Sequence, residues 1–390
     1  MRVTIASRIF TPEAAAASFR LSALTDALAD AGHAVKVLTT TAPAGLRGAA
    51  RASDAARRGV TVRRLPVLRD ADDYVRGYLQ YLSFDLPLLF RLISGRRPDA
   101  IVVEPPPTTG FVTRIAAGIR RVPYVYYAAD IWSDATASMG ASSFVTRALR
   151  VVERFAMRGA AHVIAVTDGV AERVREIAGH DRVTVVRNGI DTTVFTPDGP
   201  VDDVPPTAVY AGTMSEWQGA DVFVRAWPAV LKRVPGARLV FAGGGTARDE
   251  LQSLARELRV EASVSFTGVI APPQAARLLR SARVGLVSIV PGTGYDFAVP
   301  TKILASAACG TPVVFAGRGA SAELIAGAAL GTCSSHDPAA VAAAVSEALE
   351  QAPSPVARAA VADWTLANVS IAAVAERVAA IITHAGRTSS

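Results

Sequence analysis

Cysteine and lysine are scarce in this chain. Two cysteines, Cys309 and Cys333, occur in 390 residues. That excludes a disulfide framework and suits a reducing compartment. Lysine is confined to Lys36, Lys232 and Lys302, so arginine carries nearly all the positive charge. No apolar run reaches the roughly 18–20 residues of a membrane-spanning helix. The opening MRVTIASRIF reads as a first strand and not as a signal peptide, so a cytoplasmic protein is expected. C-x-x-C and H-E-x-x-H are both missing. Metal chemistry therefore has no ligand set, and neither a metal nor another cofactor is expected. A Walker A loop and the G-x-S-x-G elbow of hydrolases are missing too. His33, at a helix-to-strand turn, and His162, at a strand start, read as structural. No recognition-helix, zinc-finger or RNA-binding signature is present, and nucleic acid is not an expected partner.

What is there begins with an uneven charge. Residues 1–200 hold 26 Lys and Arg against 19 Asp and Glu, while 201–390 hold 15 of each, so the whole formal excess of +7 lies in the first half. Arg47, Arg51, Arg57, Arg58, Arg63, Arg64 and Arg69 cluster with Asp54 as the only acid among them. Two readings are open: a solvated basic loop, or a patch for an anionic membrane surface or a phosphorylated acceptor. The stretch 72–93 follows, with Tyr74, Tyr78, Tyr81 and Phe84 at near-helical spacing. It reads as a core-packing helix or as an interfacial membrane contact.

Length and apolar content allow two domains. Short β-branched runs at 3–7, 34–40, 100–104, 124–128, 162–166 and 183–188 alternate with Ala/Leu-rich helical segments. Leu21, Leu24 and Leu28, ending at Gly32, mark one such helix. This is the pattern of a doubly wound parallel α/β sheet. Pro197, Pro200, Pro205 and Pro206 then read as an interdomain linker. The pattern restarts at 207–212, 237–245, 264–268, 284–290 and 311–317. Two Rossmann-like units in series would leave a cleft beyond the carboxyl ends of their strands, where ligands bind. AGGG at 242–245 lacks the spacing of a dinucleotide fingerprint and reads as a tight strand-to-helix turn.

The most informative stretch is PTKILASAACGTPVV, 300–314. Pro300 opens a helical pattern, Gly310 closes it and Pro312 leads into a strand. A helix start offers free N–H groups and a positive dipole end to an anion. Lys302 stands in that first turn. Residues alone leave two readings, an ordinary crossover or a pyrophosphate site.

Several segments together resemble the retaining glycosyltransferases of the GT-B fold, family 4, in its bacterial envelope-sugar branch. They are the opening run 10–40, ADIWSD (129–134), RNGIDTTVFTP (187–197), VSFTG (264–268) and PTK…GTPVV. The resemblance implies two facing Rossmann-like domains. Residues 1–198 would form the acceptor domain and 199–363 the nucleotide-sugar domain. Residues 364–390 would be a helix crossing back, with 364–385 as its amphipathic body. It also implies sugar transfer from a UDP- or GDP-linked donor to a glycan, a metabolite or a lipid-linked sugar, with retention. Lys302 and Asp130 would then be catalytic. Gly212, Thr213 and Gln218 would line the donor phosphates. Val269 and Ile270 would meet the base, and Val299, Pro300 and Thr301 the pyrophosphate. Glu13, Ser18 and Trp132 would face the acceptor. Lys302 is expected at a solvent-lined helix start.

Departures from the pattern matter. The two glutamates that the family sets eight positions apart are here Phe297 and Ala305, and the usual Arg and Lys of the first donor loop are Thr213 and Gln218. Two other readings therefore stay open: a sugar-nucleotide 2-epimerase on the same architecture, and a diverged nucleotide-sugar-binding subunit without turnover.

Overall fold

A computed structural model of the chain describes residues 1–13, 15–70, 73, 75, 77–138 and 142–387. They divide into two compact units, one of 1–188 with 371–390 and one of 189–370.

Among the described residues the first unit holds a seven-stranded parallel sheet. Its strands are β1 (Arg2–Ala6), β2 (Ala34–Thr40), β3 (Val60–Leu65), β4 (Ala100–Val103), β5 (Tyr124–Ala128), β6 (His162–Ala165) and β7 (Val183–Val185), in the order β3-β2-β1-β4-β5-β6-β7. The helices in chain order are α1 (Ala16–Asp30), α2 (Arg47–Ala56), α3 (Tyr78–Ser94), α4 (Pro107–Arg120), α5 (Trp132–Ser138), α6 (Ser143–Arg158) and α7 (Asp168–Ala178). The second unit holds β8 (Thr207–Ala211), α8 (Asp221–Arg233), β9 (Arg238–Ala242), α9 (Arg248–Glu257), β10 (Val264–Gly268), α10 (Pro272–Ser281), β11 (Val284–Ser288) and α11 (Thr301–Ala308). It continues through β12 (Val313–Ala316), α12 (Ala320–Gly327), β13 (Gly331–Ser334), α13 (Pro338–Glu350) and α14 (Pro355–Val369), and α15 (Ile371–Arg387) rejoins the first unit. Its sheet runs β10-β9-β8-β11-β12-β13, all parallel. In each sheet the strand order reverses once, between β1 and β4 and between β8 and β11. Such switch points open crevices beyond the strand ends.

Local chemistry explains the element ends. Ser142, Thr167, Asp337 and Ser354 cap α6, α7, α13 and α14 through side-chain oxygens. Pro107, Pro272, Pro338 and Pro355 take first-turn positions whose N–H would have no partner. Pro300 is the N-cap of α11 and not its first helical residue. At the other end Gly310 and Thr311 donate to Ala307 O and Ser306 O, a Schellman closure.

Four sequence expectations change. Residues 60–65, inside the arginine cluster, form edge strand β3 and not a loop; edge strands accept charge readily because one rim faces solvent. Strand β13 was not anticipated, for GTCS carries little β-branched signal. The Pro-rich stretch is not a free linker. Thr196 O and Pro200 O accept from Arg280, and Asp202 pairs with Arg277, so it is pinned to α10. The expected single helix over 364–385 is two helices broken at Ser370, whose ψ of 142° is extended. The first, α14, packs on α11, and α15 packs on α1.

The arginine cluster also sorts itself. Arg57 pairs with Asp26, Arg64 with Asp54 and Arg69 with Asp73. Arg64 further donates to Thr11 O and Thr40 O. These three hold the first unit together, and Arg47, Arg51, Arg58 and Arg63 are left exposed. On α3, Phe84 is buried and Tyr81 packs edge-on to Trp132. The exposed apolar stripe is Leu79, Leu82, Leu86 and Phe90. Phe84 and Tyr81 thus turn toward the protein, while Phe90 stays on the exposed side. Tyr74 and the Tyr78 side chain lie outside the described residues. No helix among the described residues is long and apolar enough to cross a membrane.

Candidate functional site

The switch point of the second unit gathers Lys302, Tyr210, Thr213 and Gln218. Tyr210 stands near the end of β8, and Thr213 and Gln218 follow it in the loop. Lys302 is the second residue of α11, beyond β11. Its Nζ donates to Tyr210 Oη at 2.7 Å, Thr213 O at 2.9 Å and Gln218 Oε1 at 3.1 Å. It also lies 4.1 Å from the centre of the Tyr210 ring. Only 8% of Lys302 is exposed, so the expected solvent-lined position is wrong. The loop after β8 folds over the amine and replaces water with neutral oxygens. Burial without a carboxylate pushes the amine down to about 7.

Glycine makes the enclosure possible. Gly212 has φ +136°, and a Cβ there would sit 3.1 Å from Lys302 Cε. Gly243 has φ +146°, and its Cβ would meet Gly212 O at 2.1 Å. Gly212 N donates to Ala242 O and Gly243 N to Gly268 O, so the loops after β8, β9 and β10 are laced together. AGGG is thus a tight turn packed against the lysine loop. Val269, on the last of these loops, is exposed, and Ile270 is half-buried. Val299 and Pro300 are half-buried before α11, and Thr301 is exposed in its first turn.

Ala305 lies one turn further into α11 and is 8% exposed. It packs in a cluster with Val209, Leu279, Cys309, Ile190 and Phe195. Apolar side chains fill the place where the resemblance sets a glutamate. Phe297 is exposed, and its neighbour Asp296 is engaged by Arg318 at 3.1 Å.

The switch point of the first unit is built around a buried ion pair. Arg20, on α1, donates through Nε and Nη2 to Glu104 Oε1 at 3.0 and 2.5 Å and through Nη1 to Asn188 Oδ1 at 2.7 Å. Its guanidinium also lies over the Tyr127 ring. Burial works against both charges; it leaves the Glu104 carboxyl raised, while for Arg20 the pairing wins. Asp130, beyond β5, touches solvent yet is crowded by protein. Desolvation raises its carboxyl, Arg20 opposes this and Glu104 adds to it. Asp130 does not cap α5. Buried Glu153 does that, accepting from Trp132 N, Ser133 N and Ser133 Oγ. Trp132 is half-buried against Tyr81. Glu13, in the loop after β1, is half-buried with Oε1 unpartnered, and burial raises its carboxyl against Arg69 and Arg64. Ser18 is buried in the first turn of α1.

Sequence reasoning passed over Tyr210, Arg20, Glu104 and Arg8. Tyr210, Glu104 and Arg8 are polar groups beside an apolar run at a strand's carboxyl end, and Glu104 ends AIVVE itself; Arg20 stands on α1 and carries no such signal. That juxtaposition was the available signal. A cavity of about 400 Å³ opens at the opposite edge of the second sheet, beside Thr207, Arg238 and Val264. It lies at the amino ends of the strands, away from Lys302, and we place no chemistry there.

Comparison with known proteins agrees with this geometry. Residues 16–189 match the glycosyl transferase 4-like domain, and 205–351 match glycosyl transferases group 1. An uncharacterized glycosyltransferase of Methanocaldococcus jannaschii is 29% identical over 232 residues, covering 56% of this chain and 57% of its own. The D-inositol 3-phosphate glycosyltransferase of Acidothermus cellulolyticus is 29% identical over 271 residues, 62% of this chain and 58% of its own. The matched region thus spans a little over half of these relatives. Anabaena Alr3699/HepE, solved in complex with UDP, superposes with a TM-score of 0.74 at 18% identity, covering 98% of this chain and all of that one. That likeness establishes the GT-B fold.

Proposed function

The chain belongs to the GT4-type glycosyltransferases, and from that premise we propose that it transfers a sugar, with retention, from a nucleotide-diphosphate sugar to a small-molecule or lipid-linked acceptor. The observation that carries the reading is Lys302, a buried amine held only by neutral oxygens at a helix start and a topological switch point. An amine in that setting gains most from an incoming diphosphate, which would supply the missing counter-charge. The N–H groups of Thr301 and Lys302 have no partner within α11 and point the same way. UDP bound to Alr3699/HepE supports a uridine donor.

In the transition state, charge develops on the departing diphosphate while the sugar becomes oxocarbenium-like. A preorganised cation in a dry site stabilises that charge without reorganisation. Tyr210, Thr213 and Gln218 hold the amine in place, and Gly212 leaves room for its stem. Asp130, with its raised carboxyl and no ion pair among the described residues, is assigned to the acceptor hydroxyl, since a base nearer neutrality accepts a proton more effectively. Glu13 and Trp132 flank it on the acceptor side.

The test is thermal stabilisation of the chain by UDP-, GDP- and dTDP-sugars, followed by NMR of the product anomer with any donor that binds. Binding to the folded state raises its melting temperature by mass action. Absence of stabilisation by every donor would defeat the proposal. An inverted anomer would defeat retention alone.

A further inference from the structure

We propose that Arg8 is the anion-binding residue of the acceptor site and that the acceptor carries an oxyanion group, a phosphate or a carboxylate. The word acceptor rests on the glycosyltransferase reading; the anion site does not.

Arg8 follows β1 at the switch point of the first unit and is only 7% exposed. Arg20, its neighbour in that crevice, has Glu104 as counter-ion, and Arg57, Arg64 and Arg69 each have an aspartate. Arg8 has none within 4 Å among the described residues. Its Nη1 donates to Val75 O at 3.0 Å, and its Nε is buried without a partner. The guanidinium lies 4.1 Å from the centre of the Tyr81 ring, and Trp132 meets that ring edge-on. Tyr81 and, from further off, Asp85 support the charge against burial. Asp85 Oδ1 is taken by Thr109 Oγ1 at 2.7 Å, and its Oδ2 is unpartnered.

A buried guanidinium without a counter-ion is costly, and a fold has no packing reason to keep one where an apolar side chain of equal length would fit. The arrangement is explained if the counter-ion arrives with a ligand. A guanidinium fork suits two oxygens of one anion. The Tyr81 ring lies against the guanidinium, and Trp132 beside it offers an apolar surface to a sugar ring. Asp130 follows β5 at the same edge, so a hydroxyl on an anion-anchored sugar would be presented to it.

The experiment uses the full chain saturated with UDP, so that added anions do not report on Lys302. Inorganic phosphate, glucose 6-phosphate, glucuronate and glucose are titrated by calorimetry against wild type, Arg8→Met and Arg8→Lys. Wild type is expected to bind phosphate and at least one of the two anionic sugars, and to prefer that sugar to glucose at least tenfold. The preference between them tells phosphate from carboxylate. Arg8→Met should lose at least tenfold in anion affinity, keep its UDP affinity and melt no lower than wild type when unliganded. Arg8→Lys should fall between, keeping the charge and losing the fork. Equal anion affinity in wild type and Arg8→Met would overturn the proposal. So would an Arg8→Met protein that melts well below wild type, for Arg8 would then be structural. If UDP fails to bind wild type, the donor reading fails separately, and the same titrations without UDP still read Arg8 through the difference between variants.

Discussion

At the scale of single residues, Lys302 concentrates the most information. Its amine falls from 10.5 in the unfolded chain to about 7 in the fold. Between those values the unfolded chain binds a proton that the fold does not, so stability rises with pH across that window. Below pH 7 the full penalty, on the order of 5 kcal/mol, is in force. Lys302→Met removes the charge and keeps the stem, so the unliganded variant should melt at or above wild type at pH 6–7, and its melting temperature should respond less to pH between 7 and 10. Turnover should fall by roughly 10²–10³. A diphosphate beside the amine raises its pKa again. UDP binding should therefore take up close to one proton at pH 8, and affinity should weaken as pH rises above 7. Calorimetry in buffers of different ionisation heat measures the uptake, and none at all would remove Lys302 from the phosphates. Ala305→Glu is a second residue test. Its site is filled by Leu279, Phe195 and Cys309, so the carboxylate would be buried among apolar groups. We expect a loss of about 3 kcal/mol by denaturant unfolding and no gain in UDP affinity.

At the scale of elements, the laced loops after β8, β9 and β10 should act as one body. Gly243→Ala would drive a Cβ into Gly212 O, the residue that makes room for Lys302. It should lower both the melting temperature and UDP affinity, whereas Gly236→Ala, in a turn with open space around it, should leave UDP affinity alone. The basic edge of the first unit divides in the same concrete way. Arg64 joins α2, β2 and the loop after β1 through Asp54, Thr40 O and Thr11 O. Arg64→Ala should cost about 1–2 kcal/mol, and Arg63→Ala close to nothing. If the partner of this edge is an anionic membrane, reversing Arg47, Arg51, Arg58 and Arg63 to glutamate should abolish salt-sensitive co-sedimentation with anionic vesicles. Leu79→Ser with Phe90→Ser tests the apolar stripe of α3 separately. Equal sedimentation with neutral vesicles would dismiss the electrostatic contact.

At the scale of the whole molecule, the chain leaves its first unit at Asn188 and returns at Ile371. Val374, Val378 and Ile382 of α15 are buried in the core of the first unit. Three such side chains contribute on the order of 6 kcal/mol, a large part of a domain's usual margin. A chain ending at Ser370 should thus show an early melting transition from residues 1–188, while UDP still stabilises the later one. Limited proteolysis would check which unit opens first. Unchanged melting of the first unit would show that α15 is only an adornment.

Much of this architecture was legible in the amino-acid order. Short β-branched runs alternating with helical segments specify parallel α/β units, because period and length decide which backbone each run can bury. Pro300 and the closing Gly310 located one helix and its two ends from local rules alone. Edge strand β3 escaped, since charge on an exposed rim looks like loop. The break at Ser370 escaped, since nothing local marks where a helix changes the unit it packs on. The state of Lys302 was beyond any one-dimensional reading. Its burial depends on Tyr210, Thr213 and Gln218, which lie 84 to 92 positions away. The same holds for Arg8, whose lack of a counter-ion among the described residues shows only in three dimensions. Local sequence determines which backbone forms and where its ends are. Whether a charge there meets water, a partner or neither is decided by folding of distant segments around it, because desolvation and pairing depend on distance in space.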